Sequence, residues 1–121
     1  MHIKITGVHI EITNAIHDYA IEKFSNLDRF SNNDTSAKLE VILTKTTGHH
    51  SHGEFYQAEG IVHMSKKTFA MKTQEDDLYK SIDVLKDMLH MELASHKDKK
   101  QSLFKRSAHK IKNLLKRGGR L

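Results

Sequence analysis

The sequence predicts an α+β domain in which a four-stranded sheet carries two helices on one face. Three observations lead there. Apolar residues at steps of three and four mark two amphipathic helices, one early and one late in residues 1–100. Between them, three stretches alternate apolar and polar residues with period two, as half-buried strands do. A shorter alternating stretch opens the chain, so the order reads β-α-β-β-β-α.

His2-Ile3-Lys4-Ile5-Thr6 alternates and is bounded by Gly7, which makes a short first strand. Ile10 and Ile12 continue an extended entry, and Thr13 suits an N-cap. Ile16, Tyr19, Ala20, Phe24, Leu27 and Phe30 recur at helical steps, so residues 14–30 form the first helix. Ser31-Asn32-Asn33-Asp34 stops it as a polar turn. From Ala37 the period becomes two: Ala37, Leu39, Val41 and Leu43 share one face of a second strand. Residues 46–53, TTGHHSHG, read as a loop. Tyr56, Ala58, Gly60, Val62 and Met64 then alternate through a long third strand. Ser65-Lys66-Lys67 is a tight turn, and Phe69 and Met71 mark a fourth strand ending near Thr73.

Residues 75–100 form the long second helix, with Leu78, Ile82, Leu85, Leu89 and Leu93 along one side. Glu75, Asp76 and Asp77 occupy its first turn and Lys97, Lys99 and Lys100 its last, an order that complements the helix macrodipole. The first strand, first helix and second strand form a crossover unit, expected to be right-handed. Each helix has one stripe to bury, so both belong on one sheet face, with the other face in solvent. Residues 1–101 are therefore one domain and residues 102–121 a basic amphipathic tail. Phe104, Ala108, Ile111 and Leu115 recur at helical steps in that tail, and Gly118-Gly119 would end a helix. Three states stay open for it: a separate basic helix, an extension of the long one, or a segment ordered only when bound.

Charge distribution says more than its total. The formal charge is +5, yet seven of the twenty basic residues lie in 102–121, with no acid beside them. Thirteen basic residues face fifteen acidic ones in residues 1–101, so the domain itself is not basic. Polyanion binding by the domain must come from local segregation of charge. There is no cysteine, which excludes disulfides and thiol chemistry. No apolar run approaches the roughly 18 residues of a membrane span, and MHIKITG lacks the marks of a signal peptide. A cytoplasmic protein without membrane contact is expected.

Catalytic motifs are absent: no glycine-rich phosphate loop, no nucleophile elbow, no helical HExxH. Asp76 and Asp77 imitate paired catalytic carboxylates, but a first helical turn explains them more simply. His49, His50 and His52 cluster in one loop. They lack the further ligands on rigid elements that zinc sites use, so a solvated hairpin loop is expected and no metal or cofactor. His63 reads as a sheet-face residue. On the long helix, Tyr79, Lys86, His90 and Lys97 are spaced by seven, four and seven and share a flank, with Asp83 close by and Lys80 and Asp87 pointing away. Cations and one ring along a rigid helix suit a phosphodiester backbone. An ordinary solvated flank explains the same charges, since Asp83 and Asp87 dilute the field. The tail cations Lys105, Arg106, Lys110, Lys112, Lys116 and Arg117 are a second polyanion candidate.

Two segments carry a family resemblance: IxITGxHIEIT–AIxDYAxEKF–LDRF, Ile3 to Phe30, and QEDDLYKSIDVLKDMLHMEL–HKDK, Gln74 to Lys99. Together they resemble the ribosome hibernation promoting factors, which include the ribosome-associated inhibitor or protein Y. The resemblance runs over about residues 1–100. It is most specific at DLYKSID, Asp77 to Asp83, followed by the leucine ladder and a lysine-rich end. It implies a fold shaped like double-stranded RNA-binding domains. It implies binding to the small ribosomal subunit and its rRNA in the mRNA channel, near the A and P sites, with translation inhibited in stationary phase or starvation. It implies no enzymatic activity.

Carried over by position, the rRNA-facing residues are Lys23 and Arg29 on the first helix and Tyr79, Lys80, Lys86, Lys97 and Lys99 on the second. His90 on the flank and Lys100 at the helix end join them. Members of the family often have Lys or Arg where this chain has Met88, Glu92 and Ser95, which weakens the helix field; the basic tail can supply phosphate contacts instead. The length matches short-form members. Some of these work with a ribosome-dimerising partner factor and others keep ribosomes as inactive monomers, and the tail selects neither. A general double-stranded RNA-binding module is the competing class.

Overall fold

The computed structural model describes residues 1–47 and 53–96. Strands β1 (His2–Val8), β2 (Lys38–Thr47), β3 (Glu54–Met64) and β4 (Lys67–Glu75) form one sheet in the order β1-β2-β3-β4. β1 runs parallel to β2, and the other two pairings are antiparallel. Helix α1 (Asn14–Ser25) crosses from β1 to β2 and continues as a 3-10 helix, Asn26–Phe30. Helix α2 follows β4 and occupies 78–96. The expected β-α-β-β-β-α order and four-stranded sheet are thus observed. Residues Met1–His90 form one compact unit; of the second, Met91–Leu121, only 91–96, the last turns of α2, are described.

Register explains which face is buried. Ile3, Leu39, Val62 and Phe69 stand in one row across the sheet; Ile5, Val41, Gly60 and Met71 in the next; Gly7, Leu43, Ala58 and Thr73 in the third. Leu39, Val41, Leu43, Ala58 and Val62 are fully buried in the centre of these rows. Ala20, Phe24, Leu27 and Phe30 bury one stripe of the first helical segment, and Leu78, Ile82, Leu85 and Leu89 one stripe of α2. Gly60 marks how closely α2 approaches β3. A Cβ there would lie 2.9 Å from Leu89 Cδ1 and 3.4 Å from Leu85 Cδ2. Gly7 does the same for the segment after β1, since a Cβ there would collide with the Ile10 carbonyl oxygen. The opposite face carries Lys4, Lys38, Glu40, Ile42, Ile61 and Lys72. There Glu40 takes a 2.9 Å ion pair from Lys38, whose hydrogen bond holds the Glu40 carboxyl below its ordinary range.

Element boundaries differ from the sequence reading in four places. β1 continues through Gly7, because Val8 still pairs with Thr44. The first helix is α-helical only to Ser25; beyond it Leu27 and Phe30, three apart, both become buried by tightening to three residues per turn. β4 runs to Glu75, which still pairs with Tyr56, so α2 cannot begin there. It begins at 78, with Asp77 as its cap: the Asp77 carboxylate accepts from the Tyr79 amide at 3.1 Å, and its carbonyl from the Ser81 amide at 3.0 Å. Thr13 caps α1 as expected, accepting from the Ile16 amide at 3.2 Å. The histidine loop, the lysine-rich end of α2 from Lys97 to Lys100, and the tail lie outside the described residues.

Candidate nucleic-acid interface

Steps of four, three and four bring Tyr79, Asp83, Lys86 and His90 to one flank of α2. That flank adjoins the first helix, and side chains from both helices meet in two clusters. In the first, the Tyr19 hydroxyl donates a 2.6 Å hydrogen bond to Asp83 Oδ1, and Lys23 Nζ lies 3.8 Å from the same oxygen. The Tyr19 and Tyr79 rings meet edge-on, with centroids 4.8 Å apart and planes at 86°. Lys23 Nζ sits 5.4 Å from the Tyr19 ring centre. The Tyr19 phenol is pushed up to about 12, chiefly by its hydrogen bond to the Asp83 carboxylate, then by burial and the charges of Asp83, Asp77 and Glu22.

In the second cluster, one Arg29 guanidinium nitrogen lies 3.0 Å from His90 Nδ1 and 3.1 Å from Nε2. The guanidinium also covers the Phe30 ring at 4.9 Å, and Phe30 meets His90 edge-on at 5.3 Å. The exposed Arg29 thus sits over a buried aromatic residue, within reach of a cation–π contact. Lys86 Nζ is 3.7 Å from Asp87, while Lys80 pairs with Glu75 at 3.7 Å and Asp76 at 3.8 Å near the start of α2.

The structure therefore groups Lys23 with Tyr79, and Arg29 with His90, on the seam between the helices. Lys80 engages the acidic entry to α2 instead. Among the described residues, each lysine of the set (Lys23, Lys80 and Lys86) has an acid within 4 Å, so positive charge is present but locally compensated. Sequence reasoning treated Tyr19 as a core position and Asp83 as a diluting charge; both hold the seam together. The available signal was chemical: a tyrosine beside a buried stripe needs a partner for its hydroxyl. Ser81, fully buried, was also missed; its hydroxyl donates to the Leu78 carbonyl at 2.6 Å. Among the described residues no group of three or more His, Cys, Asp or Glu is placed to hold a metal. None of their helices is long and apolar enough to cross a membrane.

A family model described as Sigma 54 modulation protein / S30EA ribosomal protein matches residues 3–101. The chain belongs to that family. Its relatives include the ribosome hibernation promoting factor of Pseudomonas putida, 29% identical over 112 residues that span 89% of this chain and 98% of that protein. The Escherichia coli hibernation promoting factor is 30% identical over 99 residues, 82% of this chain and 96% of that one. The crystal structure of the Thermus thermophilus protein Y N-terminal domain superposes with a TM-score of 0.63 at 31% identity, covering 77% of this chain and 96% of that domain. A ribosomal subunit interface protein from Coxiella burnetii, 22% identical, shares the fold with a TM-score of 0.63 over 81% of this chain and 99% of that one. The resemblance carried by DLYKSID and the leucine ladder is thereby borne out as family membership.

Proposed function

We propose that this chain binds the small ribosomal subunit in the channel used by mRNA and tRNA, around the A and P sites, and so inhibits translation under stress or in stationary phase. The observation that carries this reading is the helical seam of a hibernation-factor relative: Lys23, Arg29, Tyr79, Lys86 and His90 lie on adjoining flanks of a rigid two-helix layer. Such a layer offers charge and aromatic surface without reorganisation. The acids beside the lysines do not block it. Partly exposed ion pairs are worth about 0–1 kcal/mol, so phosphate oxygens exchange with them at little cost. Neutralising rRNA phosphates releases counterions, which supplies the driving force.

Lys97, Lys99, Lys100 and the cations of the tail, 102–121, add charge on the C-terminal side and extend the phosphate contacts. The chemistry is one of occupancy: the protein excludes other ligands from the channel and transforms none.

Co-sedimentation of the full chain with purified small subunits at moderate ionic strength tests the reading, alongside a cell-free translation assay. Retention on subunits together with a fall in translation supports it. Equal retention on any duplex RNA assigns the chain to general double-stranded RNA binding, and failure to bind subunits overturns the reading. Sedimentation profiles of starved cells then separate two modes. Ribosome dimers lost on deletion mean action with a dimerising partner factor; dimers gained mean blocking.

A further inference from the structure

Asp83 is out of place on a flank that meets phosphates, and so is the tyrosine pair beside it. A carboxylate there opposes polyanion binding by charge. Yet it reaches to the neighbouring helix: it accepts the Tyr19 hydroxyl at 2.6 Å and lies 3.8 Å from Lys23 Nζ. Tyr19 in turn meets Tyr79 edge-on at 4.8 Å. An edge-on contact fixes a ring's tilt and leaves at least one face of Tyr79 clear of Tyr19. Tyr79 remains 40% exposed, unlike the buried leucines beside it on α2.

Resting on the functional reading above, we propose that Tyr79 is a stacking platform for one unpaired base of the bound RNA. Asp83 and Tyr19 are the positioning residues that hold its ring, and Lys23 is held where the phosphate of that nucleotide passes. An unpaired base fits the chemistry better than a paired one. A duplex keeps its base faces stacked inside the helix, whereas loops and bulges splay bases out onto aromatic rings. A ring that is already held loses little rotational freedom on stacking, which is the advantage of the Tyr19–Asp83 brace.

The test measures affinity of the full chain for small subunits across a salt series, with thermal melts to verify that each variant folds. Tyr79→Leu is expected to weaken binding by about five- to a hundred-fold, the range for losing one stacked base, with an unchanged salt slope because no charge is lost. Tyr79→Phe, which keeps the ring, recovers most of that loss. Asp83→Ala discriminates by sign. Removing an acid from a phosphate-facing flank should by charge alone tighten binding; loss of the brace weakens it. Tyrosine absorbance titration of the same variant reads the brace directly, since the Tyr19 phenol, pushed up to about 12 chiefly by the Asp83 hydrogen bond, should fall back towards its ordinary value. Wild-type binding to Tyr79→Leu, or tighter binding by Asp83→Ala, overturns the stacking proposal while leaving subunit binding in place. If the wild type itself ignores the subunit, the functional reading falls instead.

Discussion

At the scale of single residues, Asp34 shows how one carboxylate can join two turns. It accepts from the Ser36 amide at 3.0 Å, just before β2, and from the Ser65 amide at 2.9 Å and hydroxyl at 3.1 Å, in the β3–β4 turn. These bonds, led by the one from the Ser36 hydroxyl, lower the Asp34 carboxyl from 3.8 to about 2. A carboxyl depressed on folding stabilises the folded state above its unfolded value, and that contribution disappears as pH falls through the folded one. Asp34→Ala should therefore lower Tm at pH 7, and the gap from wild type should close as melts are repeated towards pH 2. A gap independent of pH would show that Asp34 acts through its shape and not its charge. The two asparagines before it, with φ of 48° and 64°, occupy the left-handed region that asparagine tolerates well, so the turn is set by local chemistry.

Elements are held by caps at their ends and by the core along their lengths. Thr13 satisfies the α1 amide that would otherwise be orphaned, so Thr13→Ala should cost about 1 kcal/mol in chemical denaturation. Leu85 is fully buried above β3, and Leu85→Ala should cost about 2–5 kcal/mol by the same measurement. Gly60→Val tests the approach of α2 to the sheet from the other side. Its branched side chain would meet Leu89 and Leu85, and the overpacking should cost about 1–3 kcal/mol. Wild-type stability in that variant would show that α2 shifts freely over β3. Helix and strand identities were legible because buried stripes leave a period in the sequence. Their ends were less so: the helix cue in Glu75-Asp76-Asp77 competes with a sheet ladder that holds Glu75 extended, and only pairing with Tyr56 decides it.

For the whole molecule, the distribution of charge sets the expected binding. Deleting residues 102–121 removes seven cations and no acid, so affinity for small subunits and the slope of its logarithm against salt should both fall. No change in either would remove the tail from the interface. Arg29→Glu should weaken binding and reduce the slope as well, because it reverses a charge on the outer side of Phe30 without emptying the core. The family and its fold could be read from residues 3–101 because the DLYKSID stretch and the leucine ladder are local in the chain. The seam could not. Tyr19 and Asp83 are 64 positions apart, and no periodicity links them.

The sequence by itself determined the order of elements, the two buried stripes, the Thr13 cap and the separation of charge between residues 1–101 and 102–121. Each depends on neighbours a few positions away, so composition and spacing carry it. Tertiary structure decided where helices and strands end, that Gly60 admits the leucines of α2, and that Asp83 grips Tyr19 and Lys23 on the other helix. Those contacts arise only after the sheet brings distant segments within a hydrogen bond of one another, and distance along the chain holds no record of them.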